Sequence, residues 1–361
     1  MKVAVVGAGV SGLMCARELV RAGSSVHVFD KGRRPAGRLS TRRDSGVAFD
    51  HGAQYFTVRD PAFADAVARW RELRVVAPWA GRIVVLGEDP PSPPRPPTTR
   101  YVGVPTMSAI GRHLAHGLDV RARVRIESIE RVGTQWRLRD DEARDVGDYE
   151  AVAVAVPSAQ AVPLLAGAPD LGVAAARAAM APCWAVMLVP ESPLGLPFDG
   201  AFIHGQAVGW AARQDSKPGR APIEAWVLHA TAQWTKAHWE MPSSGVIDAL
   251  CEAFAASAGI SPIKVLRSTA HRWRYALPTL PTDSRCLVDS ALQIGACGDW
   301  CGGPRLEGAY LSGIDLARRL GGWETRTEGR FGGGSAGPPY LSETRTEGRF
   351  GNPNRGSFRR G

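Results

Sequence analysis

A chain of 361 residues with 44% hydrophobic content can bury a substantial core, and its length accommodates two domains. The formal charge of +9 is unevenly spread: residues 324–361 hold seven Arg against four Glu, a net +3, leaving about +6 for the rest, which is ordinary for a globular body and argues against a nucleic-acid partner. Met1 leads straight into a strand, with neither a cationic leader nor a run of about 18 apolar residues, so a soluble, unprocessed chain with no membrane partner is expected.

Lys2–Val6 is a short β-rich run, Ser11–Ala22 has helical character, and Ser25–Phe29 is a second strand ending at Asp30, which together make a βαβ start. Residues 60–75 predict a helix, with Phe63, Val67 and Trp70 on one face. The proline-rich stretch Glu88–Thr99 breaks regular structure. Thr106–Gly117 places Met107, Ile110 and Leu114 on one helical face, and Val120–Leu138 alternates as strands joined by a turn at Gly133. Tyr149–Val156, ended by Pro157, reads as a buried strand returning to the first sheet, so the nucleotide domain is discontinuous. Residues 158–275, rich in tryptophan, show strand-like runs at Ala185–Val189, Gly200–His204 and Ala225–His229. Leu292–Ala296 resembles a final core strand and Gly308–Leu320 a closing helix.

The expected fold is α/β: a Rossmann-type domain from residues 1–75, 100–157 and 290–322, a proline-rich connection at 76–99, and an inserted mixed α+β substrate domain at 158–289. Residues 323–361 repeat Glu324–Gly332 as Glu343–Gly351, a period of 19, in a Gly/Arg-rich context that predicts a disordered appendage. The six cysteines match no disulfide framework or metal spacing, which fits a reducing cytoplasm; no metal is expected, and no H-E-x-x-H run occurs.

Gly7, Gly9 and Gly12 follow a strand and open a helix, the context in which G-x-G-x-x-G serves a dinucleotide. The first glycine permits the turn, the second lets backbone approach a pyrophosphate at the helix N-terminus, and the third allows close helix packing. Asp30, 18 residues beyond Gly12, is placed to accept hydrogen bonds from adenosine ribose hydroxyls, with Lys31 beside it in the candidate cofactor set. A second glycine-rich run, Gly298–Ala309, returns near the end of the chain. One motif alone suggests any dinucleotide; both together suggest FAD, bound non-covalently, because its ribityl chain and flavin need a distant second support.

Several runs resemble the renalase-like branch of the FAD-dependent amine oxidase superfamily, in its bacterial members. They are Gly7–Gly12, Gly37–Thr41, Asp50–Thr57, Arg100–Pro105, Pro182–Ala185, His271–Ala276 and Gly298–Ala309, and they span residues 1 to about 320. Ala36 departs from the superfamily, which usually has glycine there. The resemblance implies that Arg38 meets the FAD phosphates, backbone at Ile126 meets adenine, and Gln54 and Tyr55 approach the flavin. It further implies that Gly298 and Asp299 serve the ribityl or phosphate region, and that Gly308 and Ala309 open a helix whose positive end faces the flavin. Glu307 divides equally between a cofactor contact and simple helix-terminus charge.

The implied activity is oxidation of 2- or 6-dihydronicotinamide dinucleotides, with hydride passed to flavin and on to O2, giving NAD(P)+ and hydrogen peroxide. Such chemistry needs little from acid/base residues. Tyr55, Trp184, Trp210, His229 and Trp273 are candidate pocket walls, although Trp184 and Trp210 also read as core and His229 as a hydrogen-bonded core histidine. Arg59, Arg272 and Arg274 are equally substrate-phosphate partners or structural ion-pairing residues. An amine oxidase or desaturase of a small metabolite, and a flavin-bearing binding module without catalysis, remain alternative readings.

Overall fold

The computed structural model describes residues 1–87 and 98–322, so the tail expectation and most of the proline-rich break lie outside the described residues. Its first sheet has the strand order 287–289, 294–296, 151–154, 2–6, 25–30 and 119–122. All neighbours are parallel except the edge pair Leu287–Asp289 and Ile294–Ala296. Lys2–Val6 lies at the centre, with Val5 in register with Val28 on one side and Ala153 on the other. Buried from both faces, the inner strands Lys2–Val6, Ala151–Val154 and Ile294–Ala296 read as near-continuous Val/Ala/Ile runs rather than as alternating ones.

The helix Val10–Arg21 crosses over this sheet and packs on the closing helix Leu306–Gly321, so the helices that carry the two glycine-rich runs touch. Glycines permit that approach: a Cβ on Gly12 would stand 1.9 Å from the Gly7 carbonyl oxygen, and one on Gly313 would stand 2.1 Å from that of Ser11. On the opposite face, the helices Ser158–Leu164 and Pro169–Arg177 share a core with Trp136, Val152 and Ile294. The stretch at 158–177 therefore packs on the first sheet, and the strand Ala179–Pro190 that follows it belongs to a second sheet.

That second sheet has the order 265–280, 179–190, 226–230, 208–213, 200–203 and 83–86, antiparallel throughout except for the last pair. Ile83–Leu86 lies inside the expected connection at 76–99, yet its four apolar residues supply the edge strand beside Gly200–Ile203. Helix Ser243–Ala258 covers the sheet with Val246, Leu250 and Phe254, all fully buried. The motif His271–Ala276 lies within the 16-residue strand Val265–Leu280.

Local signals hold elsewhere. Asp60 caps the helix Pro61–Glu72 by accepting from the Ala62 N–H, and Phe63, Val67 and Trp70 form its buried face. The turn at Gly133 joins Ile126–Val132 to Gln135–Asp140 in a small three-stranded sheet. Among the described residues no helix is long and apolar enough to cross a membrane.

Candidate cofactor and substrate site

A cavity of about 1210 Å³ runs from the first glycine motif to the second sheet. This exceeds the ~300–1,000 Å³ usual for one small ligand and suits two molecules in contact. At one end lie Gly7, Gly9, Asp30, Lys31 and Ile126; Gly37, Arg38, Gln54, Gly298 and Asp299 line the middle; Tyr55, Trp210, His229 and Trp273 stand at the other end.

The glycine end is a built cradle. Gly7 has φ +110, and a Cβ there would sit 2.5 Å from the Ala155 carbonyl oxygen, so the tight turn requires glycine. A Cβ on Gly9 would meet nothing within 4 Å and would project into space where a pyrophosphate could lie against the N-terminus of Val10–Arg21. Asp30 is fixed by its own turn: its two oxygens accept from the N–H groups of Ala8 and Gly32, each at 2.6 Å. Ala36 takes φ +139, a region that favours glycine, and Gly111 makes room for it, since a Cβ there would lie 2.5 Å from that of Ala36.

Arg38 and Asp299 meet in the middle of the cavity in a two-pronged pair at 2.6 and 2.8 Å, and Arg38 donates a further bond to the Ala276 carbonyl at 3.1 Å. The pair joins the run Gly37–Thr41 and the second glycine-rich segment to the long strand of the second sheet. Trp273 and His229 both hydrogen-bond the His51 carbonyl oxygen, at 2.9 and 3.1 Å, which fixes their rings. Burial pushes His229 down to about 4, and burial with His271 nearby does the same to His51, so both imidazoles are neutral at physiological pH.

Several expected contacts lie elsewhere. Trp184 is absent from the cavity lining: its indole donates to the His238 carbonyl and sits beneath the Arg272 guanidinium in the second sheet's core. Side chains alternate along a strand, and its neighbour Cys183 takes the cavity face. Glu307 points away from the cavity and accepts from the backbone N–H groups of Arg59 and Asp60 at 2.7 and 3.0 Å. The closing helix starts at Leu306, so Gly308 lies within its first turn and packs on the carbonyls of Gly302 and Gly303; Ala309 does line the cavity, with its N–H bonded to the Arg305 carbonyl. Gly12 likewise serves packing, as its place in the motif predicts.

Behind Gln54 lies a cluster that sequence reasoning missed. Asp50 and Lys217 are fully buried at their side chains, and Arg220 nearly so; both cations contact the same carboxylate oxygen, Lys217 at 3.4 Å. Lys217 also donates to Gln54 Oε1 at 2.9 Å and Gln214 Oε1 at 3.2 Å, and Gln214 donates back to Gln54 at 3.0 Å. Burial, with Arg220 nearby, lowers Lys217 to about 8 despite the opposing pull of Asp50. A buried cationic network thus orients one cavity-lining side chain, Gln54.

The class of protein defined by this fold and cavity is one built on a Rossmann-like dinucleotide-binding unit, and residues 5–70 match the model of the NAD(P)-binding Rossmann-like domain. Over 60 residues the chain is 42% identical to a 4,4'-diapophytoene desaturase (4,4'-diaponeurosporene-forming) of Staphylococcus haemolyticus and 43% identical to protoporphyrinogen oxidase 2, chloroplastic/mitochondrial, of Arabidopsis thaliana. Each match takes in 17% of this chain and only 12% of the relative's length. Whole-fold likeness is far wider. A solved structure from Exiguobacterium sp. 255-15, assigned as a protoporphyrinogen oxidase, superposes with a TM-score of 0.72 over 90% of this chain and 99% of its own, at 12% identity. Putrescine oxidase bound to putrescine gives 0.66 over 88% and 98%, at 15% identity. Reduced UDP-galactopyranose mutase gives 0.67 over 90% and 96%, at 11% identity. The shared feature is the fold.

Proposed function

We propose that the chain is an FAD-dependent oxidoreductase and, within that class, an oxidase of renalase type acting on 2- or 6-dihydronicotinamide dinucleotides. Support for FAD comes from the open space over Gly9, the Asp30 turn and the length of the cavity, which suit a dinucleotide carrying a further ring system. In this reading the first sheet with its helices forms the cofactor domain and the second sheet the substrate domain. Gly7, Gly9 and Arg38 hold the pyrophosphate, Asp30 the adenosine ribose, and Lys31 and the Ile126 backbone flank the adenine end. Gln54, Tyr55, Gly298 and Asp299 bound the ribityl and flavin region.

The chemistry that FAD supplies when bound is acceptance of a hydride and delivery of two electrons to O2, which together with one proton yields hydrogen peroxide and NAD(P)+. Loss of hydride from a dihydropyridine gives an aromatic cation directly, so no protein base is needed. Tyr55, Trp210 and Trp273 exclude water and stack the substrate ring, while neutral His229 keeps the Trp273 wall in place through their shared bond to His51.

One observation carries the choice of substrate. The carboxylates lining the cavity are Asp30, Glu127 and Asp299, of which the first two lie at the adenosine end and the third is neutralised by Arg38. Among the described residues the aromatic end has no carboxylate to receive an ammonium group; Arg272 and Arg274 line it instead. Anaerobic mixing tests the proposal: 6-dihydronicotinamide dinucleotide should bleach the flavin absorbance rapidly and putrescine should not. The opposite pattern would establish an amine oxidase, and a protein with no visible flavin bands after incubation with FAD would overturn the cofactor reading as well.

A further inference from the structure

Beside the aromatic end lies a second, smaller cavity of about 560 Å³. Tyr55, Phe202 and Arg305 are among the residues it shares with the first, so the two adjoin. Among the described residues three arginines line it, Arg59, Arg100 and Arg305, and no carboxylate does. The Arg100 guanidinium stands 5.3 Å from the centre of the Tyr55 ring, and its Nε is buried without a hydrogen bond. Arg59 and Arg305 are exposed. The acids that flank Arg59 in sequence and space are already engaged: Glu307 by the backbone of Arg59 and Asp60, and Asp60 by the Ala62 N–H and, at 3.7 Å, by Arg285.

Three guanidinium groups facing one hollow repel each other, and that arrangement becomes favourable when an anion fills it. Planar forks of this kind suit phosphate oxygens, which accept two bonds from each arginine. We propose that this hollow is an anion subsite that takes the diphosphate of the substrate while the substrate's ring lies against Tyr55 and Trp210 in the main cavity. This rests on the dihydronicotinamide reading. A ribose is all that separates a nicotinamide ring from its first phosphate, and the two cavities adjoin along the wall that Ala53, Tyr55, Phe202, Pro304, Arg305 and Leu306 share. The same charge repels a diamine, so the subsite sets substrate class as well as affinity.

The test uses the full chain saturated with FAD, so that the cofactor's own pyrophosphate site is filled. Inorganic pyrophosphate is titrated by calorimetry into wild type, Arg100→Gln and the double variant Arg59→Gln/Arg305→Gln, whose two sites are exposed and tolerate substitution. Saturable binding by wild type, weakened about tenfold or more in each variant, is expected. In parallel, kcat/KM is compared for 6-dihydronicotinamide dinucleotide and for the riboside that lacks its phosphates. The wild-type preference for the dinucleotide should collapse in the variants through KM, with kcat moving far less. Absence of pyrophosphate binding in wild type, or equal binding by all three proteins, overturns the subsite. If no dihydronicotinamide is oxidised while pyrophosphate binding still depends on the arginines, the subsite stands and the preceding functional reading falls.

Discussion

Replacing Lys217 with methionine removes a cation that the fold buries completely beside Asp50 and Arg220. Burial drops its pKa from the ordinary 10.5 to about 8, and a shift of that size corresponds to about 3 kcal/mol. Its direction sets the pH dependence. Below about pH 8 the folded chain keeps the proton and the burial penalty is fully present. Between about pH 8 and 10.5 the unfolded chain holds a proton that the folded chain has released, so stability rises with pH. Wild type should therefore gain on Lys217→Met by up to about 3 kcal/mol across that window. Urea midpoints of both proteins, followed by tryptophan fluorescence from pH 7 to about 10.5, measure the gain. A difference that stays flat, or that shrinks as pH rises, would refute the assignment of a desolvated charge. Asp50→Asn supplies the complement: it leaves Lys217 and Arg220 facing each other with no counter-charge and should cost about 3–5 kcal/mol at neutral pH.

The two glycines of the first motif should separate cleanly. Gly9→Val, at an extended backbone position with open space around it, should fold as wild type yet fail to acquire flavin absorbance on incubation with FAD; Gly12→Val, whose Cβ collides with the Gly7 carbonyl, should lose about 3 kcal/mol or more in urea unfolding whether or not FAD is added. Because His51 and His229 stay neutral down to about pH 4, the rate of flavin reduction in stopped flow should be level between about pH 5.5 and 7.5, and an inflection near the ordinary histidine value would contradict their burial. Burial pushes the Cys183 and Cys286 thiols up to about 12 and Cys251 to about 11, so Ellman's reagent at pH 8 should label the folded protein slowly and all six cysteines after denaturation; fast labelling of the native chain would show that the cores around them open.

The dinucleotide end was legible because its signal is local. Gly7, Gly9, Gly12 and Asp30 fall within one βαβ unit, where spacing alone dictates who faces the turn. The Lys217 cluster gave no such signal, since Gln214, Lys217 and Arg220 follow a strand and read as a solvated polar loop, while their partner Asp50 is more than 160 residues away. Only the tertiary fold, which buries Gln214–Arg220 against the hairpin Thr41–Asp50, turns those charges inward. For Trp184, read as pocket wall or core, the structure takes the core alternative: composition can assign a tryptophan to a strand, but which face it takes depends on parity, and a shift of one residue reverses it. Gly308 was read from the motif as facing the cofactor, whereas the helix begins at Leu306 and places it against backbone.

The strand Val265–Leu280 carries Trp273 at the aromatic wall and, three residues on, the Ala276 carbonyl that holds Arg38. Between these two positions the strand is irregular: Trp273 pairs with Cys183 and Leu277 with Ala181, so four steps on the long strand face two on its neighbour. The extra backbone is a bulge, which bends a strand and re-aims what it carries. Straightening it by deleting two residues would leave the sheet's pairing partners unchanged while altering the direction of the carbonyl relative to the indole, so the irregularity acts as a joint between the place where a ring is stacked and the place where charge is anchored.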